Sequence, residues 1–115
     1  VSAEKIIEEL KKRFNPQAAK DVSANFMFSV KSDSGTKQWL TKINNGTCEF
    51  VEVNGQSPVQ PDCTISVNAD DLEMIMTGRM SAMTAALSGV LSIDGELGLA
   101  MQLVPIFFGQ QASLF

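Results

Sequence analysis

Two small groups of carboxylates are the first residues that could do chemistry. Asp70, Asp71 and Glu73 lie close together, and Asp94 and Glu96 flank Gly95. A glycosidase-type reaction needs two carboxylates held on opposite sides of a sugar at a set separation. Asp70 and Glu73 instead have the spacing of a capping box at a helix start. Asp94 and Glu96 read as turn residues beside a turn glycine. Cys48 and Cys63 are the only cysteines. A nucleophilic thiolate needs a base or a positive field nearby. Cys48 has Glu49 beside it, and Cys63 alternates with Ile65 and Val67 as a core strand residue would. Their spacing matches neither CxxC nor a zinc site, so both are read as reduced, buried thiols. Histidine and tyrosine are absent, which removes the commonest general base and every His-dependent metal site. Ser88-Gly89 and Ser92 fit no nucleophile elbow. GELG, residues 95–98, is far from a phosphate or dinucleotide loop. No cofactor is expected, and the chain is not read as an enzyme.

The elements that would position these residues follow from periodicity. Ser2 can cap a helix in which Ile6, Ile7, Leu10 and Phe14 form one apolar stripe. Glu8 and Lys12 form an i,i+4 pair on its wet side. Pro16 predicts a stop near Asn15. Phe26, Phe28 and Val30 then alternate with Met27, Ser29 and Lys31, the pattern of a half-buried strand. SDSG, residues 32–35, is a turn. Trp39, Thr41 and Ile43 share the next strand face, and Asn44-Asn45-Gly46 predicts a tight hairpin into residues 47–53. A looser link with Pro58 and Pro61 leads to a fourth strand with Cys63, Ile65 and Val67 on one face. Four strands with short links predict an antiparallel meander. Helical spacing returns through Leu72, Ile75 and Met76, stopping at Gly78, and again through Met80, Met83 and Leu87, stopping at Gly89. A short strand over 90–94 and a final helix through Leu97, Ala100, Met101 and Val104 complete an α+β pattern.

The chain has 115 residues, 44% of them hydrophobic, with a net charge of −4. That length predicts one domain over 1–115. The acidity argues against nucleic acid and against strong attraction to anionic membranes. VSAEKIIEELKKRF has no continuous apolar core of a secretory leader. No apolar run reaches the roughly 18–20 residues of a membrane span. A cytoplasmic location is the expectation. The apolar inventory is uneven. All methionines except Met27 lie from Met74 onward, and residues 80–115 carry only Asp94 and Glu96 as charges. Methionine fills irregular space and tolerates variable contents. Such a region can be core, an exposed partner surface, or the wall of an apolar pocket.

The stretch PDCTISVNADDLEMIMTGRMSAMTAALSGVLSIDGELGLAMQLVPIF, residues 61–107, resembles the sterol carrier protein 2 family of lipid-binding domains. Thr77-Gly78-Arg79 matches the family's helix ending in threonine-glycine and a basic residue. Gly95, Gly98, Leu99 and Ala100 match the glycine, small residue, leucine and alanine before its long apolar helix. Trp39 with Asn45-Gly46 resembles its tryptophan-bearing strand and following turn. The resemblance implies a five-stranded mixed, mainly antiparallel sheet covered by helices, with an apolar tunnel between the layers. It implies non-enzymatic carriage of a fatty acid, fatty acyl-CoA or sterol. Residues 90–94 would then insert into the sheet, with the preceding helices allowing a parallel neighbour. The chain departs from the family after Arg79, where MSAMTAALSG lacks the usual asparagine-proline and phenylalanines. Its end, ASLF, does not match a peroxisomal signal.

On this reading Met76, Met80, Met83, Leu87, Leu103, Val104, Phe107 and Phe108 lie at or near the lipid, excluding water. Leu99 and Met101 face either sheet or cavity, and Trp39 is packing. Arg79 or Lys42 would meet a negative head group at the rim. Residues 109–115 would act as a cover by analogy with the family. Transient membrane contact would accompany loading. Two rivals remain: a protein-interaction or oligomerisation module, and an accessory domain fused to a larger lipid-metabolising protein.

Overall fold

The computed structural model describes residues 1–109. Helix α1 spans Ala3–Arg13. The Ser2 side chain accepts from the Lys5 amide at 3.1 Å, so the expected cap is present. Ile6, Ile7 and Leu10 are buried as the stripe requires. Lys11, not Lys12, takes Glu8, at 2.9 Å. The helix stops at Phe14, and the Asn15 carboxamide oxygen accepts from the Gln17 and Ala18 amides ahead of the next turn.

Strands β1 (Ser23–Ser32), β2 (Gly35–Asn44) and β3 (Thr47–Val53) form the predicted meander. The β2–β3 loop has Asn45 at φ 49° and Gly46 at φ 92°, both left-handed, as a tight two-residue hairpin demands. That loop is anchored. The Asn45 amide donates to Val22 O at 2.8 Å and the Gly46 amide to Ala19 O at 3.0 Å.

The fourth strand departs from the meander. β4 (Cys63–Asn68) pairs parallel with β1, from Phe26–Cys63 through Lys31–Asn68. β5 (Ser92–Gly95) pairs antiparallel with β4, and the sheet order is β3-β2-β1-β4-β5. The sheet is therefore five-stranded, mixed and mainly antiparallel. The parallel pair is β1 with β4, and the final strand is an edge rather than an insertion. The physical reason lies in residues 54–62. A tight hairpin would have kept β4 beside β3, but this link is long enough to pass β2 and β1. Pro58 and Pro61 offer no amide to extend the β3 ladder. Beside β1, Cys63, Ile65 and Val67 are all buried.

Helices α2 (Ala69–Met76), α3 (Ala82–Ser88), α4 (Leu97–Met101) and α5 (Leu103–Phe107) follow the resemblance in order. α2 begins directly after β4, with Asn68 at the cap position and no side-chain cap bond. The capping box expected of Asp70 and Glu73 does not form, because the helix starts earlier. Asp70 and Asp71 sit in its first turn, where they favour the helix dipole. The single final helix expected from periodicity is two. A continuous helix would need the residue 105 amide to donate to Met101 O, and Pro105 has none. The break falls at Gln102, and Ile106 O accepts from the Asn15 amide at 2.9 Å.

The main core lies between one sheet face and the helices. Phe26, Phe28, Val30, Trp39 and Ile43 from the sheet belong to one buried cluster with α1, Leu72 and Ile75 of α2, and Leu103, Ile106 and Phe107 of α5. Met27, Leu40 and Val53, with the opposite alternation, form a separate small cluster. No helix among the described residues is long and apolar enough to cross a membrane.

Candidate functional site

The cavity begins at the sheet. Phe28 of β1, Ile65 of β4 and Ile93 of β5 form its floor. These three share one face because β1 pairs with β4 and β4 with β5 in register. Leu72 and Ile75 of α2 form one wall. Ala82, Met83 and Ala86 of α3, with Leu91, form the second, and Leu97, Ala100 and Met101 of α4 the third. Leu103, Val104 and Phe108 close the far end. Every lining side chain is apolar. The cavity volume is about 60 Å³. A drug-sized ligand occupies a pocket of roughly 300–1,000 Å³. A lipid chain therefore needs the walls to part.

The walls differ in firmness. Leu72, Ile75 and Phe28 are nearly fully buried, whereas Met83 is 51% and Met101 44% exposed. Among α3 residues only Ala85 is buried. Ser81 caps α3 by accepting from the Thr84 amide at 3.3 Å, and Gly89 ends it at φ 84°. Two of the lining rings, Phe28 and Phe108, lean on a buried aromatic cluster. Phe107 packs on Phe28 at 6.3 Å and on Phe108 at 6.4 Å, and reaches Phe14 and Phe50 on its other side at 5.9 and 6.0 Å.

Of the residues singled out from sequence, Met83, Leu103, Val104 and Phe108 line the cavity. Phe107 is buried outside the cavity lining, against Phe28 and Phe108, and borders a polar surface groove with Glu9, Arg13 and Pro105. Met80 is half-buried against the core. Met76 is buried, and it lines a surface groove between α1 and the end of α2. Leu87 lies outside the cavity and is 83% exposed. Met101 faces the cavity, and Leu99 packs against the core. Arg79 is exposed, with its Nε donating to Thr77 Oγ1 at 3.1 Å. Lys42 lines a polar groove with Asn44, Cys48 and Asp62, away from the cavity lining. Most of residues 109–115, the expected cover, lie outside the described residues.

Sequence reasoning missed Phe28, Ile65 and Ile93 as cavity residues, though alternation had put Phe28 and Ile65 on strand faces and residues 90–94 had read as a short apolar strand. On α3 it found Met83 but missed Ala82 and Ala86. The spacing of Ala82, Ala85 and Ala86, one small-residue face of α3, was the available signal.

Among the described residues, no acidic, basic, hydroxyl or thiol side chain lines the cavity. Burial pushes the Cys48 thiol up to about 11. Burial, then Asp94, Asp62 and Glu96, raises Cys63. Both remain thiols at neutral pH, and neither forms a disulfide. Among the described residues no three His, Cys, Asp or Glu come together to hold a metal ion.

The model of the SCP-2 sterol transfer family matches residues 4–108. The chain belongs to that family. The SCP-2 match extends to curated relatives. Sterol carrier protein 2 of Bos taurus is 34% identical over 103 residues, covering 85% of this chain and 18% of that protein. The Gallus gallus protein of the same name is 37% identical, with the same coverage of 85% and 18%. This chain thus spans under a fifth of the length of these relatives. A solution structure of palmitated SCP2L2 from Aedes aegypti, 24% identical, covers 93% of this chain and 95% of its own, with a TM-score of 0.72. It shares the fold. Membership of the SCP-2 family carries a general lipid-binding and transfer role.

Proposed function

We propose that the chain carries a fatty acid, fatty acyl-CoA or sterol by reversible partitioning into the cavity between β1–β4–β5 and helices α2 to α5. The observation that carries this reading is a lining with no polar side chain at all. An acyl chain gains roughly 0.8 kcal/mol for each CH₂ it buries there. Opposing it is the cost of parting α3 and α4 from the sheet. The ligand contacts would be Met83, Leu103, Val104 and Phe108 with Leu72, Ile75, Leu97 and Met101. No bond is made or broken. Loading would involve transient contact with a lipid surface. The test is native mass spectrometry with palmitate, palmitoyl-CoA and a sterol, palmitate first because the Aedes aegypti protein of this fold is palmitated. A stoichiometric adduct is expected with at least one. Met83→Asp should fold, since that side chain is half-exposed, and lose the adduct. A folded protein with no adduct, or undiminished binding by Met83→Asp, would sink the reading.

A second reading rests on length. The chain covers 18% of each sterol carrier protein 2 relative above. It would then serve as the lipid-holding unit of a larger lipid-metabolising protein. The full reading frame decides this.

A further inference from the structure

Seven large apolar side chains are exposed among the described residues, and five belong to the short segment from Met83 to Met101. They are Met83 at 51%, Leu87 at 83%, Val90 at 36%, Leu97 at 56% and Met101 at 44%. Met83 and Leu87 stand one turn apart on α3, and Leu97 and Met101 one turn apart on α4. Three of them, Met83, Leu97 and Met101, also line the cavity. The exposed patch and the cavity wall are therefore one continuous apolar surface, and these three side chains form the cavity's outer rim.

Charge separates the candidate occupants. The segment that carries the patch holds no basic residue, and the cation nearest it in sequence, the exposed Arg79, lies 4.0 Å from the Glu73 carboxylate. Asp94 and Glu96 lie beside it and are exposed. These carboxylates complement the outermost charge of a phosphocholine head group, its quaternary ammonium. A second copy fits less well. A handful of side chains offers on the order of a few hundred Å² of apolar surface, short of the roughly 800 Å² per partner that a stable interface buries. A bilayer has no such minimum, since apolar side chains on a helix can seat in its interfacial layer.

Resting on the lipid-carrier reading above, we infer that the α3–α4 rim, led by Leu87, is the surface that docks on zwitterionic membranes. Docking there puts the cavity mouth against the bilayer, so a lipid passes in without crossing water. The same contact supplies apolar surroundings for Met83 and Met101 when α3 and α4 part. Leu87 is the informative position. It is the most exposed of the five and does not line the cavity.

The experiment compares wild type, Leu87→Asp and Val90→Asp. It measures flotation with phosphatidylcholine vesicles, transfer of pyrene-labelled palmitate to those vesicles, and palmitate affinity in vesicle-free buffer. Leu87→Asp should lower vesicle binding and the transfer rate by about tenfold, with affinity in buffer unchanged. Val90→Asp should act in the same direction but less. Wild-type transfer should speed up with vesicle concentration, as a collisional step requires. Added phosphatidylserine should not strengthen binding. Unchanged transfer by a folded Leu87→Asp would overturn the inference while leaving the carrier reading intact. So would a wild-type dimer that Leu87→Asp dissociates, or binding that rises steeply with phosphatidylserine. Absence of palmitate binding by wild type would instead count against palmitate as cargo, and vesicle flotation of the unloaded protein would still decide the docking surface.

Discussion

Thr41 shows how a single side chain can be out of keeping with its surroundings. It is fully buried in β2, opposite Phe26 of β1 and Phe50 of β3. Its Oγ1 has no hydrogen-bond partner. A buried, unpaired hydroxyl costs roughly 1–3 kcal/mol, and an apolar group of the same shape removes the penalty. Valine has that shape and a higher strand preference. Thr41→Val should therefore raise the unfolding free energy by about 1 kcal/mol, read from the midpoint of urea unfolding at unchanged slope. A loss of stability instead would show that the hydroxyl is partnered in solution. Gly95 is the opposite case, a residue matched closely to its place. Its φ is 125°, and an added Cβ would meet Asp62 O at 2.8 Å and Cys63 Cα at 3.0 Å. Only glycine lets β5 approach β4 this closely.

At the scale of elements, α3 is the weakest wall. It has seven residues, one of them buried, and one side-chain cap. Helices this short are unstable alone and depend on packing. Losing an N-cap serine costs about 1 kcal/mol. Ser81→Ala should thus leave the global unfolding transition nearly unchanged and speed amide exchange in residues 82–88 by about fivefold. Equal effects on β1 amides would mean that α3 opens only with the whole fold. The character of α3 also explains what could be read from sequence. Strands β1, β2 and β4 were legible because alternation with a period of two is strong over Phe26–Val30, Trp39–Ile43 and Cys63–Val67. The path of β4 was not, because alternation identifies faces and says nothing about neighbours. In α3 the rule that large apolar residues point inward placed Met83 and Leu87 together at the ligand. The helix instead sets Ala82 and Ala86 beside Met83 on the cavity, buries Ala85 and leaves Leu87 in solvent.

At the scale of the whole molecule, the core is dense around Phe107 and open beneath α3 and α4. The Phe14–Phe28–Phe50–Phe107 rings and the α1 stripe make a firm half. The β4–β5 edge with α3 and α4 makes a half whose free space, about 60 Å³, is too small for a lipid chain as it stands. Binding a chain must therefore expand the second half without unseating the first. A ligand that enters binds only the folded form, and mass action then stabilises the fold by about 2.7 kcal/mol at a hundred times the dissociation constant. For a domain of this length that is a rise in Tm of about 10 °C. An amphiphile that merely coats the exposed Leu87–Leu97 surface has no such preference for the folded state and should leave Tm flat or lower it. Calorimetric melts with palmitate, held below its aggregation point, separate the two. The same melts should show the rise halved or abolished for Met83→Asp, whose charge stands in the cavity wall, and retained for Leu87→Asp, whose charge stands outside it. A rise of equal size in both variants would mean that the stabilising site lies elsewhere in the fold.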